Sequence, residues 1–204
     1  MKAIKWKSLI ITCSICLVPI LFGIVLWNKL PDTIAIHFDI NNNPDNFASK
    51  EVAVIFLPIL MALLQVVCCL LTDLNAYHKG ARVKFERVTK WIIPITTCIL
   101  QCGMLLYSLG YKIDMRMFAI VIVGIIFLFI GNYLPKLDYV KDAKVDTSAA
   151  RKINRFIGIE TVIMGVLALI TVFLPPVSTL VWIFCLIPYS IIGVIYGIIV
   201  GRKK

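Results

Sequence analysis

The side chains best suited to binding chemistry lie in one polar segment, residues 28–51, between two apolar stretches. Four oxygen-bearing side chains occupy alternate positions there, as in a calcium-binding loop: Asp39, Asn41, Asn43 and Asp45. An EF-hand loop, however, needs a glycine where this chain has Pro44 and a bidentate glutamate where it has Lys50. The spacing therefore argues against calcium, and it leaves these side chains for forming turns or for recognising a ligand.

Zinc binding and catalysis lack the residues that they require. His37 lies in the polar segment, but His78 lies in a different loop. All seven cysteines fall inside predicted helices, where they serve as small apolar residues. The sequence contains no metalloprotease, serine-hydrolase or phosphate-binding motif, and no nucleophile can be paired with a base. We therefore predict a protein that is not an enzyme and that uses no metal or cofactor.

A few polar side chains fall within apolar stretches, namely Gln65, Gln101, Asn132 and Glu160. Glu160 is a functional candidate by default, because burial in hydrocarbon disfavours a charged carboxylate. The nearby Arg155 and Lys152 favour a simpler interpretation, an ion pair at the membrane interface. A small transporter or channel component built on Glu160, Asn132 and Gln101 stays an alternative, although the sequence shows no inverted repeat of broken helices.

The composition indicates which elements carry these residues. Residues of the AVILMFWYC set make up 60% of the 204-residue chain and charged residues only 16%, whereas soluble domains have about 45–50% and about 25%. A helix of about 20 apolar residues crosses the hydrocarbon core of a bilayer. Six stretches qualify: 8–27, 52–71, 91–110, 117–133, 156–174 and 177–200. The sequence thus predicts an all-α, polytopic integral membrane protein with six transmembrane helices.

The basic residues predict how these helices are oriented. With the N-terminus inside, 17 of the 21 Lys and Arg residues fall in cytoplasmic segments, and only Lys29, Lys50, Lys112 and Arg116 fall outside. Such a bias is typical of the positive-inside rule. We therefore predict that both termini are cytoplasmic, and that the net charge of +10 reflects orientation and contact with the lipid bilayer rather than nucleic-acid binding.

Residues 28–51 then form the one sizeable outer loop. Ile34, Ile36 and Phe38 alternate with Ala35, His37 and Asp39, which predicts a short strand, and residues 41–46 supply a turn. We expect Leu30, Pro31 and Phe47 to anchor the loop ends at the membrane surface, and the loop to present His37, Asp39, Asn41 and Asp45 outward. In the last span, Gly193, Gly197 and Gly201 recur every fourth residue and predict a close helix-packing face, for another helix of this chain or, as the alternative, for a second copy.

Two motifs give the chain a family resemblance. The loop LPDTIAIHFDINNNPDNFASK resembles the signature of the domain of unknown function that opens SdpI-like membrane proteins, with matches at Leu30, Pro31, His37, Pro44, Asp45, Phe47 and Lys50. The segment GNYLPKL is similar to a motif that ends a span in the same proteins, with matches at Gly131, Asn132, Tyr133 and Pro135. Both halves of the chain therefore carry the resemblance, in the same order as in the family.

The resemblance implies two regions: residues 1–90, a helix pair with the signature loop and a basic cytoplasmic loop, and residues 91–204, a four-helix SdpI-like region. It also implies a Gram-positive immunity protein that protects the producer from its own secreted peptide toxin at the outer face of the cell membrane. The alternative is a receptor that relays an outer signal to a cytoplasmic regulator. Residues 138–156 lack the Trp- and His-containing run of the family, which puts the cytoplasmic function in doubt.

Overall fold

The computed structural model describes residues 4–74, 81–136 and 147–202. The elements in these ranges are six α-helices, a two-stranded β-hairpin and short helical turns. The hairpin comprises β1 (Thr33–Phe38) and β2 (Pro44–Ser49), and a π-helical segment, Val52–Phe56, leads into α2. The helices are α1 (Trp6–Val25), α2 (Leu57–Leu74), α3 (Ala81–Ser108), α4 (Met115–Tyr133), α5 (Thr147–Thr171) and α6 (Val177–Arg202). His78 lies outside the described residues. The same holds for the basic residues of the predicted cytoplasmic loops that fall within 75–80 and 137–146.

The prediction of six transmembrane helices is confirmed. In the described part of the chain, six helices are long and apolar enough to cross a membrane. Two of them begin about ten residues earlier than hydropathy predicts, since α3 starts at Ala81 rather than Trp91 and α5 starts at Thr147 rather than Phe156. Hydropathy finds only the apolar part of a helix, whereas long basic side chains such as those of Lys152 and Arg155 continue it with their charged ends exposed.

The chain divides into two compact units. Unit 1 comprises Met1–Ala76 and Glu86–Ala119, and unit 2 comprises Tyr77–Phe85 and Ile120–Lys204. Unit 1 holds α1, the hairpin, α2, most of α3 and the first turn of α4. Its apolar core lies beneath the hairpin and consists of Leu30, Ile34, Ala53, Val54, Met104, Leu105 and Met115. The hairpin is therefore part of the folded core of unit 1.

The hairpin is antiparallel and irregular in its pairing. Ala35 faces Phe47 and His37 faces Asn46, so Ile36 has no direct partner, and a second irregularity follows between His37 and Phe38. Such a β-bulge re-aims the side chains next to it. The predicted alternation is therefore wrong at Ala35, which is buried beside the buried Ile34. The predicted turn at 41–46 is also too long, because β2 already begins at Pro44.

Unit 2 is organised by close contact between α4 and α5. A Cβ on Gly131 would lie 2.6 Å from the Gly158 carbonyl oxygen, and one on Gly165 would lie 2.9 Å from that of Gly124. Small residues permit such approach of two helix backbones, which favours association in a membrane. The indole of Trp182 on α6 adds a hydrogen bond of 2.9 Å to the Met164 carbonyl. Unit 2 is thus a helix bundle built on glycine contacts.

The glycines of α6 that the structure describes make no close helix contact within the chain, which contradicts the prediction of a close neighbour in the same chain and leaves a neighbour from a second copy as a prediction. A Cβ on Gly193 would make only an ordinary contact, 3.8 Å from Ile157 Cγ1, and one on Gly197 would meet nothing within 4 Å. The surroundings of Gly201 lie outside what the structure describes. A fourfold glycine spacing shows that close approach is sterically possible, but the partner helix decides which glycines are used.

Candidate functional site

The turn of the hairpin is organised by Asp39. One oxygen of its carboxylate accepts the backbone N–H groups of Asn41 at 2.8 Å and Asn43 at 2.7 Å, and the other accepts the Asn43 side-chain amide at 3.1 Å. The hydrogen bonds from Asn43, with a further one from Asn41, hold the pKa of Asp39 below its usual value. The predicted outward-facing Asp39 and Asn41 therefore build the turn itself, as Asx turns do.

A second asparagine fastens this turn to the helices of unit 1. Asn42 has a φ of 65°, which asparagine tolerates better than most residues. Its amide donates to the Ile113 carbonyl at 2.9 Å and accepts from the backbone N–H of Met115 at 2.8 Å. The sequence indicated a turn here but not this contact, because Ile113 and Met115 are about 70 residues away along the chain. The turn is consequently clamped to the start of α4.

The exposed face of the hairpin carries a histidine–aspartate pair. His37 Nδ1 lies 2.5 Å from Asp45 Oδ1, and the two side chains are 68% and 48% exposed. None of the described residues forms a hydrogen bond with the other ring nitrogen, Nε2. Elsewhere on β2, the side chain of Phe47 is 54% exposed. We call the exposed residues His37, Asp45 and Phe47 of the hairpin the hairpin face; together they offer one apolar ring and one oriented imidazole.

The remaining loop motif residues close the base of the hairpin. The ammonium of Lys50 lies 3.4 Å from the Asp32 carboxylate, donates to the Trp27 carbonyl and lies over the Trp27 ring. Leu30 is buried in the core of unit 1, whereas Pro31 is exposed. Pro44 opens β2, where its missing N–H is tolerated. Lys50 thus joins the end of β2 to the end of α1, with its side chain largely buried.

A cavity of about 490 Å³ lies under the hairpin, within unit 1. Because of the bulge, three successive residues of β1 line it, and these are Ile36, His37 and Phe38. The helices contribute Leu57, Met61, Thr96, Thr97, Leu100, Gln101, Met104, Met115, Arg116 and Ala119. We call this space the hairpin cavity. Gln101, a candidate intramembrane residue, contributes to its wall and donates its amide to the Ala53 carbonyl.

A buried polar network, which the sequence did not reveal, connects α1, α2 and α3. Lys90 Nζ lies 2.7 Å from Asp73 Oδ1, with 3% of each side chain exposed. The second Asp73 oxygen accepts the backbone N–H of Lys5 at 3.1 Å, and Gln65 donates to the Lys90 carbonyl at 2.8 Å. Asp73 and Lys90 lie just beyond the ends of the predicted spans 52–71 and 91–110, where the sequence indicates exposed charges of a loop. The candidate Gln65 therefore belongs to a structural network.

Glu160 does not form the predicted ion pair. One of its carboxylate oxygens is buried, and no described residue forms a hydrogen bond with it. Side chains three or four residues apart are neighbours on a helix. Arg155 is five residues from Glu160, so its side chain starts about 140° around the helix axis from that of Glu160. The carboxylate lies toward Gly193, since a Cβ there would be 4.0 Å from Oε2. Glu160 thus stands within unit 2 without a cationic partner in the described residues.

The Gly-Asn-Tyr-Leu-Pro motif stabilises the contact of α4 with α5. Gly131 lets the backbones meet, and Pro135 packs on Gly158, where a Cβ would be 2.7 Å from the proline ring. Asn132 accepts a hydrogen bond of 2.9 Å from Lys136, whose ammonium also lies 5.5 Å from the centroid of the Tyr133 ring. The motif is therefore accounted for by helix packing and by side-chain contacts at the end of α4.

Comparison with known proteins supports the resemblance that the loop carries. Residues 14–62 match the domain of unknown function DUF1648. Over 126 residues the chain is 29% identical to the immunity protein SdpI of Bacillus subtilis (strain 168), an alignment that covers 62% of this chain and 58% of SdpI. The chain thus matches less than two thirds of that protein's length. No solved structure matches the chain.

The matched domain spans most of α1, the hairpin and the start of α2, and so includes the hairpin face. Six apolar helices together with this relationship identify a multi-pass protein of the bacterial cell membrane, in contact with the lipid bilayer. The chain therefore resembles SdpI-like membrane proteins, in residues 14–62 and over the 126 residues that align with SdpI.

Proposed function

We propose that this protein confers immunity on the bacterium that produces it, by holding a secreted membrane-active peptide toxin at the hairpin. The observation that carries the proposal is an exposed hairpin face on an anchored hairpin, inside the domain that the chain shares with its family. The name of the relative, an immunity protein, indicates the kind of protection. Binding alone accounts for this activity, without a catalytic step.

The hairpin face has the features of a peptide-binding surface. Phe47 offers an exposed aromatic ring, and aromatic residues are enriched in contacts that dominate binding energy. The His37–Asp45 pair orients an imidazole nitrogen toward a polar group of a partner. The Asn42 clamp and the Lys50 contacts hold the turn and the base of the hairpin in place before binding, which lowers the entropy cost of association.

The proposal requires the hairpin to face the outside of the cell. The distribution of basic residues supports this orientation, with both termini in the cytoplasm. A toxin that approaches from outside would then meet the hairpin face before it enters the hydrocarbon core. The loops rich in Lys and Arg would lie on the opposite side, where they interact with anionic lipid.

Protection of a sensitive host tests the proposal. The chain is expressed in a toxin-sensitive bacterium, which is then exposed to the peptides secreted by the producing strain. We expect survival to rise with the wild-type chain and to fall at least about tenfold with the double variant His37→Ala/Asp45→Ala. Lys112→Ala, a change of another exposed side chain on the predicted outer face, serves as the matched control. Unchanged killing by every secreted peptide would contradict the proposal.

A further inference from the structure

We propose that the hairpin cavity binds a single apolar chain that ends in an anionic group, with Arg116 as the receptor for that group. A fatty acid and one acyl chain of an anionic phospholipid share this chemistry. The proposal concerns the interior of unit 1 rather than the hairpin face. It therefore does not depend on a toxin, and either proposal can fail while the other holds.

The walls of the cavity suit a flexible hydrocarbon chain. Eight of the lining residues are apolar, namely Ile36, Phe38, Leu57, Met61, Leu100, Met104, Met115 and Ala119. Three of these are methionines, whose unbranched and polarizable side chains adapt to irregular apolar ligands. A volume of about 490 Å³ falls in the range of small-molecule sites, roughly 300–1,000 Å³. It is far too small for a folded peptide, and its apolar surface disfavours a free inorganic anion.

Arg116 supplies the charge that selects the end group. Only 13% of its side chain is exposed, and none of the described residues accepts a hydrogen bond from its buried Nη1 atom. A buried donor without a partner destabilises the protein, and this free-energy cost is largest when the donor is charged. A carboxylate or phosphate oxygen placed at Nη1 would form a charge-assisted hydrogen bond there. The guanidinium therefore favours an anion at this point of the wall.

The acidic residue nearest to Arg116 is already engaged. Asp114 Oδ2 lies 3.2 Å from Arg116 Nη2, and Asp114 Oδ1 accepts the backbone N–H of Met117 at 2.9 Å. This carboxylate is therefore divided between the guanidinium and the N-terminus of α4, whose partial positive charge offsets part of its charge. His37, the other titratable residue in the wall, is held by Asp45. The Nη1 side of the guanidinium is what remains for a ligand.

The test compares two ligands that differ only in the end group. Tetradecanoate and tetradecanol are titrated into the purified full chain in a neutral detergent, and binding is measured by native mass spectrometry. We expect one tetradecanoate per chain, bound at least about tenfold more tightly than the alcohol, a difference of about 1.4 kcal/mol. Arg116→Gln should remove this preference. Lys112→Gln, which removes an exposed cation near the start of α4, should retain it.

A second variant keeps the test decisive if Arg116→Gln does not fold. Ala119→Phe places a ring in the cavity and leaves the guanidinium unchanged, and it should reduce binding of both ligands. Arg116→Lys should recover part of the preference. Equal binding of acid and alcohol by the wild-type chain would overturn the proposal, as would undiminished binding by a folded Ala119→Phe chain.

Competition identifies the source of the ligand. Phosphatidylglycerol with tetradecanoyl chains is compared with phosphatidylcholine of the same chain length. Displacement of tetradecanoate by phosphatidylglycerol alone supports the proposal and assigns the site to an anionic membrane lipid. Displacement by neither lipid, with tetradecanoate still bound through Arg116, supports it and assigns the site to a free fatty acid. Equal displacement by both lipids would contradict a role for Arg116 in selecting the anionic end group.

Discussion

The buried Asp73–Lys90 pair yields the strongest prediction about stability. Changing Lys90 to Met retains most of the side-chain volume but removes the ammonium that lies 2.7 Å from Asp73. The carboxylate would then stay buried with the backbone N–H of Lys5, at 3.1 Å, as its one hydrogen-bond donor among the described residues. Removing one partner of a buried ion pair typically costs about 3–5 kcal/mol. We therefore expect Lys90→Met to lower the free energy of unfolding by about 3 kcal/mol or more.

The measurement is equilibrium unfolding in detergent micelles, followed by circular dichroism. The double variant Asp73→Leu/Lys90→Met removes both charges, and it should regain much of the stability that the single variant loses. Lys7→Met is the matched control, because Lys7 is exposed and belongs to the same predicted cytoplasmic group; it should change stability by less than about 0.5 kcal/mol. A loss below about 1 kcal/mol in Lys90→Met, or a double variant less stable than the single one, would refute the reasoning.

Three further predictions concern the hairpin and the helix contacts. Asn42→Ala removes two hydrogen bonds and places alanine at a φ of 65°. Hydrogen exchange of the turn amides should therefore become about tenfold faster or more, whereas the control Asn41→Ala should change the exchange rate little. Gly131→Ala should destabilise unit 2 by about 1–3 kcal/mol and Gly197→Ala should not, as unfolding in detergent would show; equal effects would contradict the packing. The pKa of Asp39 is lowered in the folded hairpin, so its stabilising effect is present above the unfolded pKa and is lost as pH falls through the folded pKa. Protection of the turn amides, taken relative to their intrinsic exchange rate at each pH, should therefore fall on acidification through this range, and Asp39→Asn should weaken this dependence.

The sequence sufficed to predict the features that depend on local pattern. Long apolar runs predicted the helices, and alternation in residues 34–39 predicted a short strand where β1 lies. It did not predict β2, because Pro-Asp-Asn is a poor strand sequence and only pairing with β1 holds it extended. The Asp73–Lys90 pair was missed for a related reason. A charge near the end of an apolar run is usually solvated. The charges of Asp73 and Lys90 are buried because α1, α2 and α3 pack around them.

The candidate site was predicted only in part. The loop motif drew attention to His37 and Asp45, and the structure brings them into contact. Arg116 and the hairpin cavity could not be predicted, since the cavity combines a bulge in β1 with residues of three helices that are distant in the sequence. The division of the chain at residue 90, the cytoplasmic termini and the roles of the loop residues stay predictions.

Site-specific photo-crosslinking tests the central claim most directly. A photoreactive phenylalanine analogue replaces Phe47 on the hairpin face, or Phe173, another exposed phenylalanine on the predicted outer face whose side chain is 88% exposed. Cells that carry each variant are exposed to the secreted peptide to which the wild-type chain confers resistance, and they are then irradiated. The account predicts a covalent adduct of that peptide at position 47 and none at position 173. Adducts of equal yield at both positions, or protection without an adduct at position 47, would contradict it.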